Sequence, residues 1–151
     1  MALTQLQINH VRNLLEVRLQ ELQGVNVFYG CNGSGKTSIL ESIHLLGMAR
    51  SFRGSSVKSL ISHEAHSCTV FGTTLLPSSA AGSQGLGLPL GVQRNRVGEA
   101  HIKVGGKAVR TVAELAEQLP LQVITAESFG LLTGAPGARR QYLDWGVFHV
   151  E

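Results

Sequence analysis

Alternating and helical spacings divide the chain cleanly. Leu3, Leu6 and Ile8, then Leu14, Val17 and Leu19, read as two short strands around a turn at Asn9 to Asn13. The apolar run Val25-Asn26-Val27-Phe28-Tyr29 predicts a further strand. Beyond it Ile39, Leu40, Ile43 and Leu46 fall at the spacing of one helical face, predicting a helix that begins around Gly35. Ala49 to His66 is polar and irregular, so a loop is expected there, with a short helix at Val57 to Ile61. Cys68, Val70, Gly72 and Thr74 alternate with Thr69, Phe71, Thr73 and Leu75 as a half-buried strand requires. Pro77 to Gly91 is Ser, Gly, Ala and Pro in the main and reads as a mobile surface loop.

The second half predicts an antiparallel side sheet. Val92 to Val97 and His101 to Val104 are strand-like, and Gly105-Gly106 is a primed two-residue turn into Lys107-Ala108-Val109. Thr111 caps a helix at Val112 to Gln118, with Glu114 where a capping box needs it. Pro120 leads to a predicted strand Leu121-Gln122-Val123-Ile124. A last helix starts near Pro136 and is expected to carry Tyr142, Leu143, Val147 and Val150 inward.

Size and composition narrow the class. With 151 residues, 43% of them hydrophobic, the chain can bury one respectable core. A formal charge of +3 is compatible with nucleic acid, yet no dense Lys/Arg run argues for it alone. Cys31 and Cys68 offer neither metal spacing nor a disulfide framework, and the histidines are scattered. No run of about 18 apolar residues exists, and the first residues lack the order of a secretory signal. A cytoplasmic protein that is neither exported nor membrane-spanning is expected.

Directly after the run Val25 to Tyr29 stands Gly30-Cys31-Asn32-Gly33-Ser34-Gly35-Lys36-Thr37, which is G-x-x-x-x-G-K-T. Its glycines let consecutive backbone N–H groups converge on a polyphosphate that side chains would keep away. Lys36 supplies a cation for the β and γ oxygens, Thr37 a hydroxyl for Mg²⁺, and the following helix its positive end.

What is missing is equally informative. Asp144 is the sole aspartate of the sequence and follows too short an apolar stretch to end a strand. Nucleotide hydrolysis at such a loop needs an acid at a strand end, and only Glu127, after Val123-Ile124-Thr125-Ala126, has that setting. The Asp-bearing elements that a guanine-specific hydrolase needs are absent too. Either nucleotide is bound without turnover, or further chain supplies the acid.

Leu6 to Asn13, Gly30 to Ser38, Arg50-Ser51-Phe52-Arg53, and Leu131 to Pro136 with Arg139-Arg140-Gln141-Tyr142-Leu143-Asp144-Trp145 together resemble the RecF family. The resemblance runs from Met1 to Glu151, with Val11 where the family usually has Phe. It implies an α/β fold, a P-loop NTPase of the ABC-ATPase head type, with a mixed core sheet and an antiparallel side sheet. Residues 1–135 would be the N-terminal lobe of that head and 136–151 the start of a helical lobe. ATP and Mg²⁺ are the implied cofactors. Contacts are expected at Gly30, Asn32, Gly33, Ser34, Gly35, Lys36, Thr37 and Ser38, with Arg12 and Asn13 beside the nucleotide and Thr37 on the metal. No aromatic precedes Phe28 to stack on adenine, which favours a cation such as Arg12 and makes a transporter subunit less apt. Implied partners are duplex DNA near single-strand junctions, RecO- and RecR-type mediators, and a second copy in an ATP-dependent homodimer. The implied setting is DNA repair, replication and the SOS response to DNA damage.

Alternatives are a nucleotide-binding module without turnover and a small-molecule phosphotransferase. The second needs an acceptor-binding cluster that Pro77 to Gly91 does not offer. Arg50, Arg53 and Lys58 read either as a DNA-facing loop or as a solvated one. Arg139 and Arg140 sit where the helix dipole disfavours cations, by about 0.3–1 kcal/mol each. Either an anionic partner or an arginine stem packed on the core would account for them.

Overall fold

Six strands are present in the computed structural model, which describes residues 2–75 and 87–148. They are β1 (Ala2–Val11), β2 (Leu14–Leu19), β3 (Ser67–Leu75), β4 (Gly87–Asn95), β5 (Ala100–Val104) and β6 (Lys107–Val109). All pair antiparallel, in the order β2-β1-β3-β4-β5-β6. The alternation sets the register. Leu6 pairs with Gly72 and Gly72 with Leu90, while Ile8, Val70, Val92 and Ile102 form the neighbouring row. These residues are buried, so one sheet face is a continuous core layer.

Helix α1 (Lys36–Met48) seats Leu46 on that layer. Gly72 makes the approach possible, because a Cβ there would lie 2.5 Å from Leu46 Cδ2 and 3.1 Å from the Gln5 carbonyl oxygen. Gly72→Ala is therefore expected to cost about 1–3 kcal/mol through overpacking. Urea unfolding followed by circular dichroism checks this, and an unchanged midpoint would contradict it. Helix α2 (Val57–Leu60) buries Leu60, and α3 (Val112–Gln118) buries Leu115 and Ala116 behind the expected capping box of Thr111 and Glu114.

The chain forms two compact units, Met1–Leu119 and Pro120–Glu151. In the second, a 3-10 turn (Ala126–Phe129) precedes α4 (Gly130–Thr133) and α5 (Pro136–Phe148). Arg139 Nη1 donates to the carbonyls of Leu131 and Gly134 at 3.2 and 3.1 Å. That gives this cation a local reason to sit against the dipole of α5: it binds the carbonyls at the end of α4.

Several expectations are corrected. Neither Val25 to Tyr29 nor Leu121 to Ile124 forms a strand, and Val25, Val27, Tyr29 and Ile124 are exposed. A strand is a pairing, and no described segment lies alongside either run to supply one. Gly87 to Gly91, taken as loop, belongs to β4. Pro89 is tolerated because its peptide edge faces the β5–β6 turn, where its carbonyl accepts from Gly105 N–H at 2.8 Å. The remainder of that loop, 77–86, lies outside the described residues.

The buried face of α1 is also rotated from the expected one. It carries Ser38, Glu41, Ser42, Leu45, Leu46 and Gly47, leaving Leu40 exposed, because the polar members find partners inside. Tyr142, Leu143 and Val147 of α5 are exposed rather than inward, since no described element of their unit covers them. Val150 lies outside the described residues. None of the described helices is long and apolar enough to cross a membrane.

Candidate functional site

Helix α1 opens without a side-chain cap. Gly35 is its N-cap at φ 98°, and its first turn holds no acid. The ladder begins with Ile39 N–H on the Gly35 carbonyl at 2.9 Å. Helix geometry thus leaves the N–H groups of Lys36, Thr37 and Ser38 without intrahelical partners, at the positive end of the dipole. Glycine at 35 is required twice over. Its φ lies in the left-handed region, and a Cβ would stand 2.5 Å from Leu14 Cδ2.

Asn13, in the β1–β2 turn, braces this loop. Its Nδ2 donates to the Gly33 carbonyl at 2.9 Å, and its Oδ1 accepts from Ser38 Oγ at 2.8 Å. Lys36 Nζ folds back to donate to the carbonyls of Gly30 and Cys31, at 2.9 and 2.8 Å. Thr37 is exposed on the first turn, and Asn32, Gly33 and Ser34 are exposed in the loop before it. Unpartnered amides, an ammonium group and a hydroxyl, with no carboxylate beside them, suit a triphosphate tail and its metal.

Arg12 is drawn to a carboxylate that the sequence reading missed. Its Nε and Nη2 donate to Glu41 Oε2 and Oε1 at 3.0 and 2.8 Å, a bidentate pair in which Glu41 is fully buried. Ser51 Oγ also donates to Glu41, and Arg53 Nη1 lies 3.6 Å from its other oxygen. Glu41 therefore ties α1 to the β1–β2 turn and to the Arg-Ser-Phe-Arg segment at once. The one available signal was a lone acid on an otherwise uncharged turn of an apolar helix, between arginines that flank it in sequence. Arg12 itself has φ 55°, rare for a side chain of its size. Its amide on the Leu60 carbonyl at 2.8 Å and its carbonyl under Ser62 Oγ at 2.7 Å hold it there.

Burial works against the charged form of Glu41, yet the hydrogen bonds from Arg12 and Ser51 and the nearby arginine charges win, and its carboxyl is held below the usual range. The same hydrogen bond pushes Arg12 up. His44, whose Nδ1 donates to the Arg50 carbonyl at 2.8 Å and whose ring meets Phe52 edge-on at 5.4 Å, is lowered by burial. Both Glu41 and His44 hold their protons less readily in the folded chain than in the unfolded one. The stability each contributes is complete above its ordinary value and is lost as pH falls through the lowered one. Stability is therefore expected to decline below about pH 6.5 through His44 and again below about pH 4.3 through Glu41. Urea midpoints from about pH 8 to 2.5 check this: His44→Gln should remove the first decline, a flat profile from about pH 7 to 5 would contradict the His44 part, and a flat profile below about pH 4.3 would contradict the Glu41 part.

The family of RecF/RecN/SMC N-terminal domains matches residues 2–130. The DNA replication and repair protein RecF of Azotobacter vinelandii (strain DJ) is 53% identical over 151 residues, which are 100% of this chain and 40% of that protein. RecF of Pseudomonas aeruginosa (strain LESB58) is 51% identical over 100% of this chain and 39% of its own length. The chain thus spans about 40% of the length of the curated relatives it matches. Among solved structures, the recombination mediator protein RecF-ATP of the RecFOR pathway superposes with a TM-score of 0.83 at 28% identity, over 99% of this chain and 38% of that one. A structure from work on ATP-driven dimerisation of SMC ATPases gives a TM-score of 0.75 at 17% identity, over 96% of this chain and 99% of that one, a likeness of fold.

Proposed function

Because the chain belongs to the RecF/RecN/SMC N-terminal domain family, we propose that it is the nucleotide-binding portion of a RecF-type ATPase that acts on DNA in replication and repair. The uncapped start of α1 behind Gly35, with Lys36 and Thr37 as its first residues, carries this reading. The loop amides from Gly30 to Ser38 hold the phosphates of ATP, and Lys36 moves from the Gly30 and Cys31 carbonyls to the β and γ oxygens. The Thr37 hydroxyl would hold Mg²⁺, which when bound would neutralise phosphate charge. Asn13 fixes the loop from behind. Arg12, oriented by Glu41 through Nε and Nη2, keeps Nη1 for the nucleotide.

Asp144 lies exposed within α5 and does not end a strand, so residues 1–151 bind nucleotide without a turnover acid of the usual kind. At the length of its relatives the protein forms an ATP-dependent homodimer in the cytoplasm. It grips duplex DNA beside single-strand junctions with RecO- and RecR-type partners, in the response to DNA damage. Residues 1–135 are one lobe of its head and 136–151 the start of the next. Fluorescence anisotropy of a gapped duplex with that longer protein tests the reading. Binding that tightens with MgATP and weakens as salt rises is expected. Binding indifferent to nucleotide would overturn it.

A further inference from the structure

Arg94 occupies a core-facing position. It continues the row of Leu90 and Val92 on β4 and pairs in register with the buried Cys68. Its Nε is fully buried and has no hydrogen-bond partner among the described residues. A guanidinium N–H left bare inside a protein costs free energy, and in nearly all structures it finds an acceptor. The Cys68 thiol gives it no counter-charge, since burial pushes that group up to about 11 and keeps it neutral.

Arg94 lines a cleft of about 520 Å³, whose other walls include Arg50, His44, Phe52 and the hydroxyl-bearing Ser55 and Ser56. No carboxylate lines the cleft, and none of its lining residues belongs to the loop 30–38. Two arginines line this cleft and no carboxylate does. Glu41, whose charge reaches the lining residue His44, is already committed to Arg12, Ser51 and Arg53. A volume of this size falls within the range of small-ligand sites, about 300–1,000 Å³, so a phosphate group fits along with what it is attached to.

We propose that the cleft between the end of α1, the segment Arg50–Val57 and β4 is a second phosphate-binding site, separate from the nucleotide loop, with Arg94 and Arg50 as its cationic anchors. The phosphate enters this acid-free cleft, the Arg94 guanidinium turns so that its Nε–H gains an acceptor, and Arg50 and the serine hydroxyls hold the remaining oxygens. Its independence from Lys36 separates it from the nucleotide reading.

The test is a titration of the 151-residue chain with inorganic phosphate, followed by the arginine Nε–H and backbone amide signals in ¹H–¹⁵N spectra. A saturable downfield shift of Arg94 Nε–H is expected below about 50 mM, with amide shifts at Gly54 to Ser56, all retained in Lys36→Ala. Arg94→Gln should abolish the amide shifts, and Arg50→Gln, at an exposed position that leaves the core intact, should weaken binding about tenfold. Repeating the titration with dimethyl phosphate tells the sources apart. Equal affinity marks a phosphodiester such as a nucleic-acid backbone, and a strong preference for inorganic phosphate marks a terminal phosphate. An Arg94 Nε–H that does not move, shifts that survive both substitutions, or shifts that vanish with Lys36→Ala would overturn the proposal.

Discussion

Replacing Glu41 with alanine is expected to destabilise the Met1–Leu119 unit by about 3–5 kcal/mol, the cost of leaving partners of a buried ion pair without their counter-charge. Arg12 would lose both hydrogen bonds of its fork and Ser51 its acceptor, while Arg53 would lose its nearest acid. Arg12→Ala should cost less, because Arg53 and Ser51 still face the carboxylate. The double variant should cost less than the two single effects together, since each single change already breaks the same pair. Denaturant unfolding of the four proteins measures this. If Glu41→Ala falls within about 0.5 kcal/mol of the parent, the description of Glu41 as the tie between three segments is wrong.

Lys36→Ala is expected to weaken MgATP binding by at least about 100-fold with no loss of fold. The asymmetry follows from where the side chain sits. Its ammonium touches only two loop carbonyls at an exposed edge, which water can serve once the lysine is gone. No other described cation stands on the loop, and Arg12, tied to Glu41 through Nε and Nη2, does not replace it at the β and γ oxygens. Isothermal titration with MgATP, paired with circular dichroism to show that the variant is folded, checks both halves of the expectation. Undiminished affinity would contradict the assignment of Lys36 to the phosphates.

Local signals carried most of the sheet and the loop. The alternation of Cys68, Val70, Gly72 and Thr74 placed β3 and its buried face, Gly105-Gly106 placed the β5–β6 turn, and Thr111 with Glu114 placed α3 to the residue. Each is a device whose geometry is complete within a few positions. Whatever depends on a distant partner escaped. The runs at 25–29 and 121–124 have the residues of core strands but lack a described neighbour to pair with. The start of β4 looked like loop because its Gly and Pro are read as turn residues, and only β3 beside it and the turn at Gly105 make them strand.

The same division runs through the site. The loop 30–37 was legible as a contiguous string, and its glycines do take positive φ at 30, 33 and 35. Arg12 and Asn13 were named beside it only through the family resemblance, and the bonds they make, with Glu41 above all, were not legible. Asn13 reaches the loop across 20 residues and Arg12 reaches Glu41 across 29, and neither spacing leaves a trace in periodicity. Arg50 and Arg53 looked alike in sequence, yet one lines a cleft and the other leans on Glu41.

The central claim is that the amides at the start of α1 form a seat for the tail of a nucleoside triphosphate. Adding MgATP to the ¹⁵N-labelled 151-residue chain tests it most directly. The account expects saturable downfield shifts of the backbone amides from Gly33 to Ser38, absent with adenosine. Amides that stay in place at that segment, in a chain whose remaining spectrum is that of a folded protein, would contradict it.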